Sequence, residues 1–429
     1  MNRSDKHSVA RRTLLAGTAA AGAGLAWGAA GSAAARGHGS GNGQLSQHAV
    51  DAEVARRTAD LIALRRDLHS HPEPPGQEQR TAGVVARELR AAGLAVRAGV
   101  GGYGVIGVLR GARPGRTVAY RADMDAVPPK DIIGGGTEPA HLCGHDLHTT
   151  MGIGIAQVLA RLRRELSGTV VFVFQPAEEA LSGAEAVLKS GVLQRLGVSE
   201  IHALHCGPFP VGQFATTAGY GMPGQDKAEL TVTGPDAVRE AQRLAAELGA
   251  LATVPMPKGD ADLERIVADS LVPNGPLATF VSLQARAREA TVGVSYRCWP
   301  QERYAQVRED IRRTAARYPG ARVRFPGDPF PALVCPEREG RALVRHLRHT
   351  LGRAAVTPLH TAFPPFSGED FALYLDHVPG TFTYLGVRTP GTPITASYPH
   401  FTTFVPDERA IALGVRTMST WLGRRSCGG

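Results

Sequence analysis

Between residues 51 and 224, short apolar runs alternate with stretches of helical period. Val54, Leu61, Ile62, Leu64 and Leu68 recur at helical spacing within 51–69, which predicts an amphipathic helix. TAGVVARELRAAGL predicts a second helix, closed by Gly93. YGVIGVLRG, RTVAYRADMD, GTVVFVFQPAEE and EIHALHCGP are strand-like runs, separated by the helical pattern that follows HTT and by SGAEAVLKSGVL. Buried strands alternating with helices predict an α/β fold, a mostly parallel sheet with helices on both faces.

From 225 the pattern changes. KAELTVTG, LATFVSLQARA and EATVGVSYRCW alternate apolar and polar positions, as in an antiparallel sheet with one solvated face. The helical patterns DAVREAQRLAAELGAL and ERYAQVREDIRRTAARY accompany them. Residues 225–326 therefore read as a small α+β satellite inserted into the larger domain, whose parts are 51–224 and 327–429.

The N-terminal pattern is of another kind. Arg11 and Arg12 precede an uncharged Ala/Gly-rich run that ends in SAAA at Ala35. This resembles a twin-arginine export signal, so we expect an exported protein cleaved near Ala35. A membrane anchor fits less well, because Leu14, Leu15, Leu25 and Trp27 are the run's only large apolar residues. No later stretch is apolar enough to span a bilayer, and residues 36–50, RGHGSGNGQ onward, read as a linker. Of the net charge of +9, residues 1–35 hold +3 (Arg3, Lys6, Arg11 and Arg12 against Asp5). The remainder is scattered, without aromatic interleaving, so no nucleic-acid partner is expected. Cys143, Cys206, Cys298, Cys335 and Cys427 are too few and too dispersed for a disulfide framework.

The densest chemistry lies in HLCGHDLHTT, residues 141–150. Cys143 as a nucleophile with His145 as its base would need two loop residues, two apart, to face each other, and it leaves other candidates idle. A redox role would need a second nearby cysteine, and the sequence shows none there. A metal site uses everything: Cys143, His145, one of the adjacent Glu178 and Glu179, His205 and a later histidine. Thiolate, imidazole and carboxylate together suit zinc and related divalent ions. One glutamate then binds metal while its neighbour serves a water as base, the arrangement of metal-assisted hydrolysis. Asp123, Asp125, Glu178, Glu179 and His205 all follow predicted strands, where open α/β sheets place their sites. His69, His71, His141 and His148 are left unassigned.

Together these residues resemble the amidohydrolase branch of the two-metal aminoacylase and carboxypeptidase family, which includes hippurate hydrolases and plant auxin-conjugate hydrolases. The matching stretches are RRDLHSHPEPPGQEQRTAGVV, VAYRADMDAVP, HLCGHDLHTTMGIG, GTVVFVFQPAEEALSGAEAVLKSGVL, IHALHCGP, FSGEDFALYLDHVPGTFTYLGV and PHFTTFVPDERA, in that order. The resemblance implies a zinc-exopeptidase-like fold and two divalent ions per subunit, zinc or manganese. It implies Cys143, His145, Glu179, His205 and His400 as ligands, and Glu178 as general base to a metal-bound water that attacks an amide carbonyl. Asp123, Asp125 and Glu369 are implied to orient ligands and loops. The family has a proline two residues after the last ligand where this chain has Thr402, but the ungapped match of DERA still selects His400.

One departure matters. The family's satellite opens with a strand and a Gly-Gly-His loop whose histidine polarises the scissile carbonyl. Here KAELTVTG runs directly into PDAVREAQRLAAELGAL, and no histidine occurs between His205 and His346. The expectation is a metal-dependent amidohydrolase acting on an N-acyl amino acid or small peptide-like conjugate with a free carboxylate. The competing expectation is a catalytically weak, metal-loaded binding protein. Edge-to-edge pairing of two subunits through the satellite is a further expectation of the resemblance.

Overall fold

The computed structural model describes residues 45–428, so the export-signal segment 1–35 lies outside them. No helix among these residues is long and apolar enough to cross a membrane. The first helix, Gln47–His69, opens inside the stretch expected as linker, because Leu45 and Val50 are already buried.

An eight-stranded sheet organises the larger domain. Its spatial order is Ala95–Val100, Gly104–Arg110, Ser167–Gln175, Arg113–Asp123, Glu200–Pro210, Gly380–Arg388, Phe214–Thr216 and Val356–Pro358. The four central strands, from Ser167–Gln175 to Gly380–Arg388, run parallel. Antiparallel pairings lie toward its two edges. Successive side chains of a strand point to opposite faces, and the apolar run TVVFVF fills both. Val170, Phe172 and Phe174 join one apolar cluster with Leu61, Leu147, Leu347 and Val415 from four helices. Val171 and Val173 join another with Ala184, Val187 and Tyr374. That two-sided burial is why these strands read as continuous apolar runs rather than alternating ones. The helical pattern SGAEAVLKSGVL becomes two short helices, Gly183–Lys189 and Val192–Arg195, because Gly191 takes a left-handed φ of 67° between them.

The satellite sheet is wholly antiparallel, in the order Arg322–Arg324, Asp226–Thr231, Thr291–Trp299, Phe280–Arg288. Ala228, Leu230, Val292 and Val294 turn to one face, where the helices Ala237–Gly249 and Arg303–Ala315 cover them. Lys227, Glu229, Thr231, Gly293 and Gln284 remain exposed on the other. Alternation in the sequence thus maps directly onto a sheet covered on one side. Between Gly249 and Phe280 the chain also forms a helix, Asp260–Ser270, that packs elsewhere.

His346 makes the fold acid-sensitive away from the sheet's functional end. It is buried on the helix Glu337–Leu351 against Trp421, with Nε2 3.1 Å from Thr420 Oγ1. Burial, with Arg424 nearby, pulls its imidazole down to about 4. Below about pH 6.5 the unfolded chain gains a proton that the native state refuses, so stability falls as pH drops from 6.5 to 4. Chemical denaturation at pH 7 and pH 4 should show the wild type losing about 3 kcal/mol more than His346→Gln.

Candidate metal centre

The chemistry collects at the carboxyl ends of the parallel strands. Asp123 ends the strand Arg113–Asp123, Glu178 and Glu179 follow the strand Ser167–Gln175, and His205 lies within Glu200–Pro210. Cys143 and His145 flank Gly144 at the start of the helix His145–Arg161. Gly144 has φ 89°, and a Cβ there would lie 2.7 Å from Cys206 Sγ, so only glycine lets the two flanking side chains enter the site together. His400 arrives from a late loop, itself at φ 71°.

The loop carrying the two glutamates is held in an unusual shape. Ala177 and Leu181 both have positive φ, 54° and 50°, each a local cost of about 1 kcal/mol or more that surroundings must offset. The Ala177 N–H donates to buried Glu78 at 2.9 Å, and the Glu179 N–H donates to Asp125 Oδ2 at 2.9 Å. Glu78 therefore fixes the residue before Glu178, and Asp125 fixes Glu179.

Three imidazoles are oriented alike. His145 Nδ1 lies 2.9 Å from the Asp125 carbonyl, His205 Nδ1 2.8 Å from the Cys206 carbonyl, and His400 Nδ1 3.2 Å from the Asp131 carbonyl. Each Nδ1–H donates to a backbone oxygen, which turns each Nε2 toward the site as the ring atom available to a metal ion. Those Nε2 atoms converge: His205 lies 3.6 Å from Cys143 Sγ, His400 3.4 Å from Glu179, and His145 3.9 Å from both Glu178 and Glu179. Ligand atoms of Cys143, Glu179 and His400 all lie within 4.8 Å of one another, as do those of His145, Glu178 and Glu179. Donors sharing one ion at about 2.0–2.3 Å sit no more than roughly 4.6 Å apart, so the spacing suits divalent ions. His145 Nε2 and Glu179 Oε1 are buried with no hydrogen-bond partner, as atoms reserved for a cation would be.

The local field points the same way. Burial, then Glu369, Glu179 and Asp370, raises the Glu178 carboxyl well above its usual range. Burial followed by Glu179 and Glu178 does the same to the Cys143 thiol. For His145 burial opposes the charge, yet Asp123, Asp125 and Glu179 overcome it and push the imidazole up to about 10. This excess of negative potential in a buried place is what one or two bound cations relieve.

Behind the donors, the expected Asp123 and Glu369 join a network whose other members were not foreseen in the sequence. Arg121, itself buried, pairs with Asp123, with Glu369 at 2.9 Å and with Asp370 at 3.1 Å, and its Nε donates to Gln175 at 3.0 Å. Gln175 and the Ala184 N–H both donate to Asp370. The signal was present: Arg121 and Asp123 are two apart on one strand and so share a face. His148 is also accounted for. Its Nδ1 donates to Asp123 at 2.6 Å and its Nε2 accepts the Cys206 N–H at 2.8 Å, so both nitrogens are used. His69 and Arg65 pair with buried Asp146, which follows His145. Cys206, Cys298 and Cys335 are buried and form no disulfide.

Cys143, Glu178, Glu179, His205, Glu369 and His400 open onto a cavity of about 570 Å³. The satellite adds Gln225, Lys227, Gln284 and Arg297 to its lining. Among the described residues, half-buried Arg297 makes one hydrogen bond, Nη2 to Gln225 at 3.2 Å, and its buried Nε has no partner. Burial lowers its guanidinium below the usual value, and among the described residues no carboxylate forms an ion pair with it.

Known proteins resemble this chain in sequence and fold. The profile of Peptidase family M20/M25/M40 matches residues 119–424. N-acetylcysteine deacetylase of Bacillus subtilis is 33% identical over 378 residues, covering 82% of this chain and 93% of that protein. The IAA-amino acid hydrolase ILR1-like 5 of Arabidopsis thaliana is 28% identical over 380 residues, 84% of this chain and 85% of the other. The crystal structure of the Bacillus subtilis YXEP protein, a dinuclear metal-binding peptidase from the M20 family, superimposes with a TM-score of 0.64. It has 29% identity and covers 87% of this chain and 99% of that one.

Proposed function

The chain belongs to Peptidase family M20/M25/M40 and is a metal-dependent hydrolase of amide or peptide bonds, and on that footing we propose that it cleaves N-acyl amino acids or small peptide-like conjugates bearing a free carboxylate. One observation carries this reading: a single cavity is lined by four of the donors, Cys143, Glu179, His205 and His400, beside Glu178 and a half-buried cation, Arg297, that has no carboxylate partner among the described residues. A substrate carboxylate supplies the missing partner, and a planar guanidinium binds it in two-pronged fashion.

In this proposal the five donors hold two divalent ions, zinc or manganese, which when bound supply Lewis-acid character and lower the pKa of water. Glu178, left out of the donor set, takes a proton from the attacking water and passes it to the leaving nitrogen. The hydroxyl joins the carbonyl carbon as the C–N bond breaks, giving a carboxylic acid and an amine. Asp125 and Glu78 keep the glutamate loop in place, and Asp123 with Glu369 and Arg121 backs the donors. Arg11 and Arg12 ahead of their uncharged run support export. The strand Phe280–Arg288, paired on one side only, offers an edge for a homodimer through the satellite.

One observation favours a metal-loaded binding protein instead: the satellite lines the cavity with Gln225, Lys227, Gln284 and Arg297 but no histidine. Loss of one transition-state donor costs on the order of a hundredfold or more in rate. The deciding experiment assays a panel of N-acyl amino acids with added manganese or zinc, after chelation, and with Cys143→Ser. The expected result is turnover that chelation abolishes and metal restores, with Cys143→Ser binding metal at least about tenfold more weakly. Metal uptake without turnover of any substrate would favour the binding protein, and turnover indifferent to chelation would overturn both.

A further inference from the structure

Residues 254–278 lie, in sequence, inside the satellite, yet their apolar side chains are absent from its core. Leu263 and Ile266 of the helix Asp260–Ser270, with Val254 and Leu277 beyond its ends, are buried in the α/β domain's apolar cluster with Phe363 and Ile394. Polar contacts fasten the same segment. The His360 N–H donates to the Ser270 carbonyl at 2.9 Å, Thr361 Oγ1 donates to the Leu277 carbonyl at 2.6 Å, and Glu264 pairs with Arg388 at 2.6 Å. At its start the Thr253 N–H donates to the Val281 carbonyl at 2.8 Å. The segment is therefore an arm fixed to both domains. Its tip is also shaped, since the Lys258 N–H donates to Asp262 Oδ2 at 2.9 Å.

That tip reaches the cavity. Met256, Pro257 and Leu263 line it together with Phe363, Pro364 and Phe366. Met256 is 41% exposed and Ile133 is 45% exposed, and both belong to this one lining. Large apolar side chains left in water around a single cavity gain when a ligand covers them. The four-stranded sheet of the satellite, by contrast, offers the cavity only Lys227, Gln284 and Arg297, with Gln225 just before its strand Asp226–Thr231.

We infer that the arm is the specificity-determining element: Met256 and Pro257 form a wall that selects an apolar group on the substrate, and Leu263 and Ile266 anchor that wall. The inference rests on the amide-hydrolase reading for its choice of probes. The apolar group comes either from the acyl part or from the amino-acid side chain. An adaptable methionine at the tip suits groups of varied shape.

The test compares N-acetylglycine with N-benzoylglycine, N-octanoylglycine and N-acetylphenylalanine. Met256→Asp and Met256→Leu are made in the full-length, metal-loaded protein, both with Glu178 and with Glu178→Gln. In the first background kcat/KM is read, and in the second Kd by calorimetry. The expected result is that Met256→Asp lowers the preference for bulky apolar groups over N-acetylglycine by about tenfold or more in both readouts, while Met256→Leu retains it. Loss confined to the acylglycines places the acyl group at the wall, and loss confined to N-acetylphenylalanine places the side chain there. Equal effects on every probe, or none, would overturn the inference. If nothing is hydrolysed yet calorimetry shows the preference and its loss, the hydrolase reading fails and the wall stands. If no probe binds, both fall.

Discussion

Glu178→Gln is expected to keep its metal and lower kcat by a factor of about 10²–10⁴, the range for removing a general base. Glu178 is nearly buried beside Glu179, Glu369 and Asp370, and an ordinary carboxylate there would be a weak base made stronger by its surroundings. Burial comes first and the neighbouring carboxylates second in raising its carboxyl, and a raised value brings a base nearer to neutral working pH. Glutamine matches the shape and cannot accept the proton. Metal analysis alongside steady-state kinetics separates this role from ligation, because a variant that loses metal in step with activity would make Glu178 a ligand.

Arg121→Met should be the most damaging change to stability, at about 3–5 kcal/mol, the cost of leaving buried charge without its partner. The residue answers three buried carboxylates, Asp123, Glu369 and Asp370, from three directions. Without it Asp123, whose carboxyl the guanidinium holds well below the usual range against its burial, must take up a proton to stay buried. Its native pKa then rises above the unfolded one, so the variant's deficit should grow as pH rises from about 4 to 8. Thermal unfolding of the chelated protein at both pH values checks the size and the trend. A deficit that shrinks as pH rises would contradict this account. Arg121→Lys should rescue little, since an ammonium has no fork to span Gln175, Glu369 and Asp370 together.

Much of the site was legible in the chain because its donors are chemically rare and fall just after strand-like runs. Cys143, His145, Glu178, Glu179 and His205 needed only that logic, whereas His400 needed the resemblance. The Arg121 network was hidden for a physical reason: its partners lie 248 and 249 positions away, and adjacency of that kind exists only once the sheet has formed. Asp370 carried no mark in the sequence beyond its place beside Glu369. The arm was missed on similar grounds. Helix Asp260–Ser270 sits among satellite elements, and nothing in its own spacing of apolar residues says which of two neighbouring cores will receive Leu263 and Ile266.

The split of the larger domain has a consequence for the order in which the molecule can assemble. Strand Glu200–Pro210 waits for Gly380–Arg388 as a neighbour, and helix Gln47–His69 packs on Arg409–Ser426 near the other end of the chain. The satellite sheet needs only residues between Asp226 and Arg324, with its hairpin Phe280–Trp299 turning through Glu289 and Ala290. Pairings close in sequence form sooner than distant ones. Ribosomal synthesis therefore delivers the whole satellite sheet while the larger domain still lacks the central strand Gly380–Arg388 and the helix Arg409–Ser426, so the cavity, which Tyr384 and His400 also line, is completed after the satellite has been made.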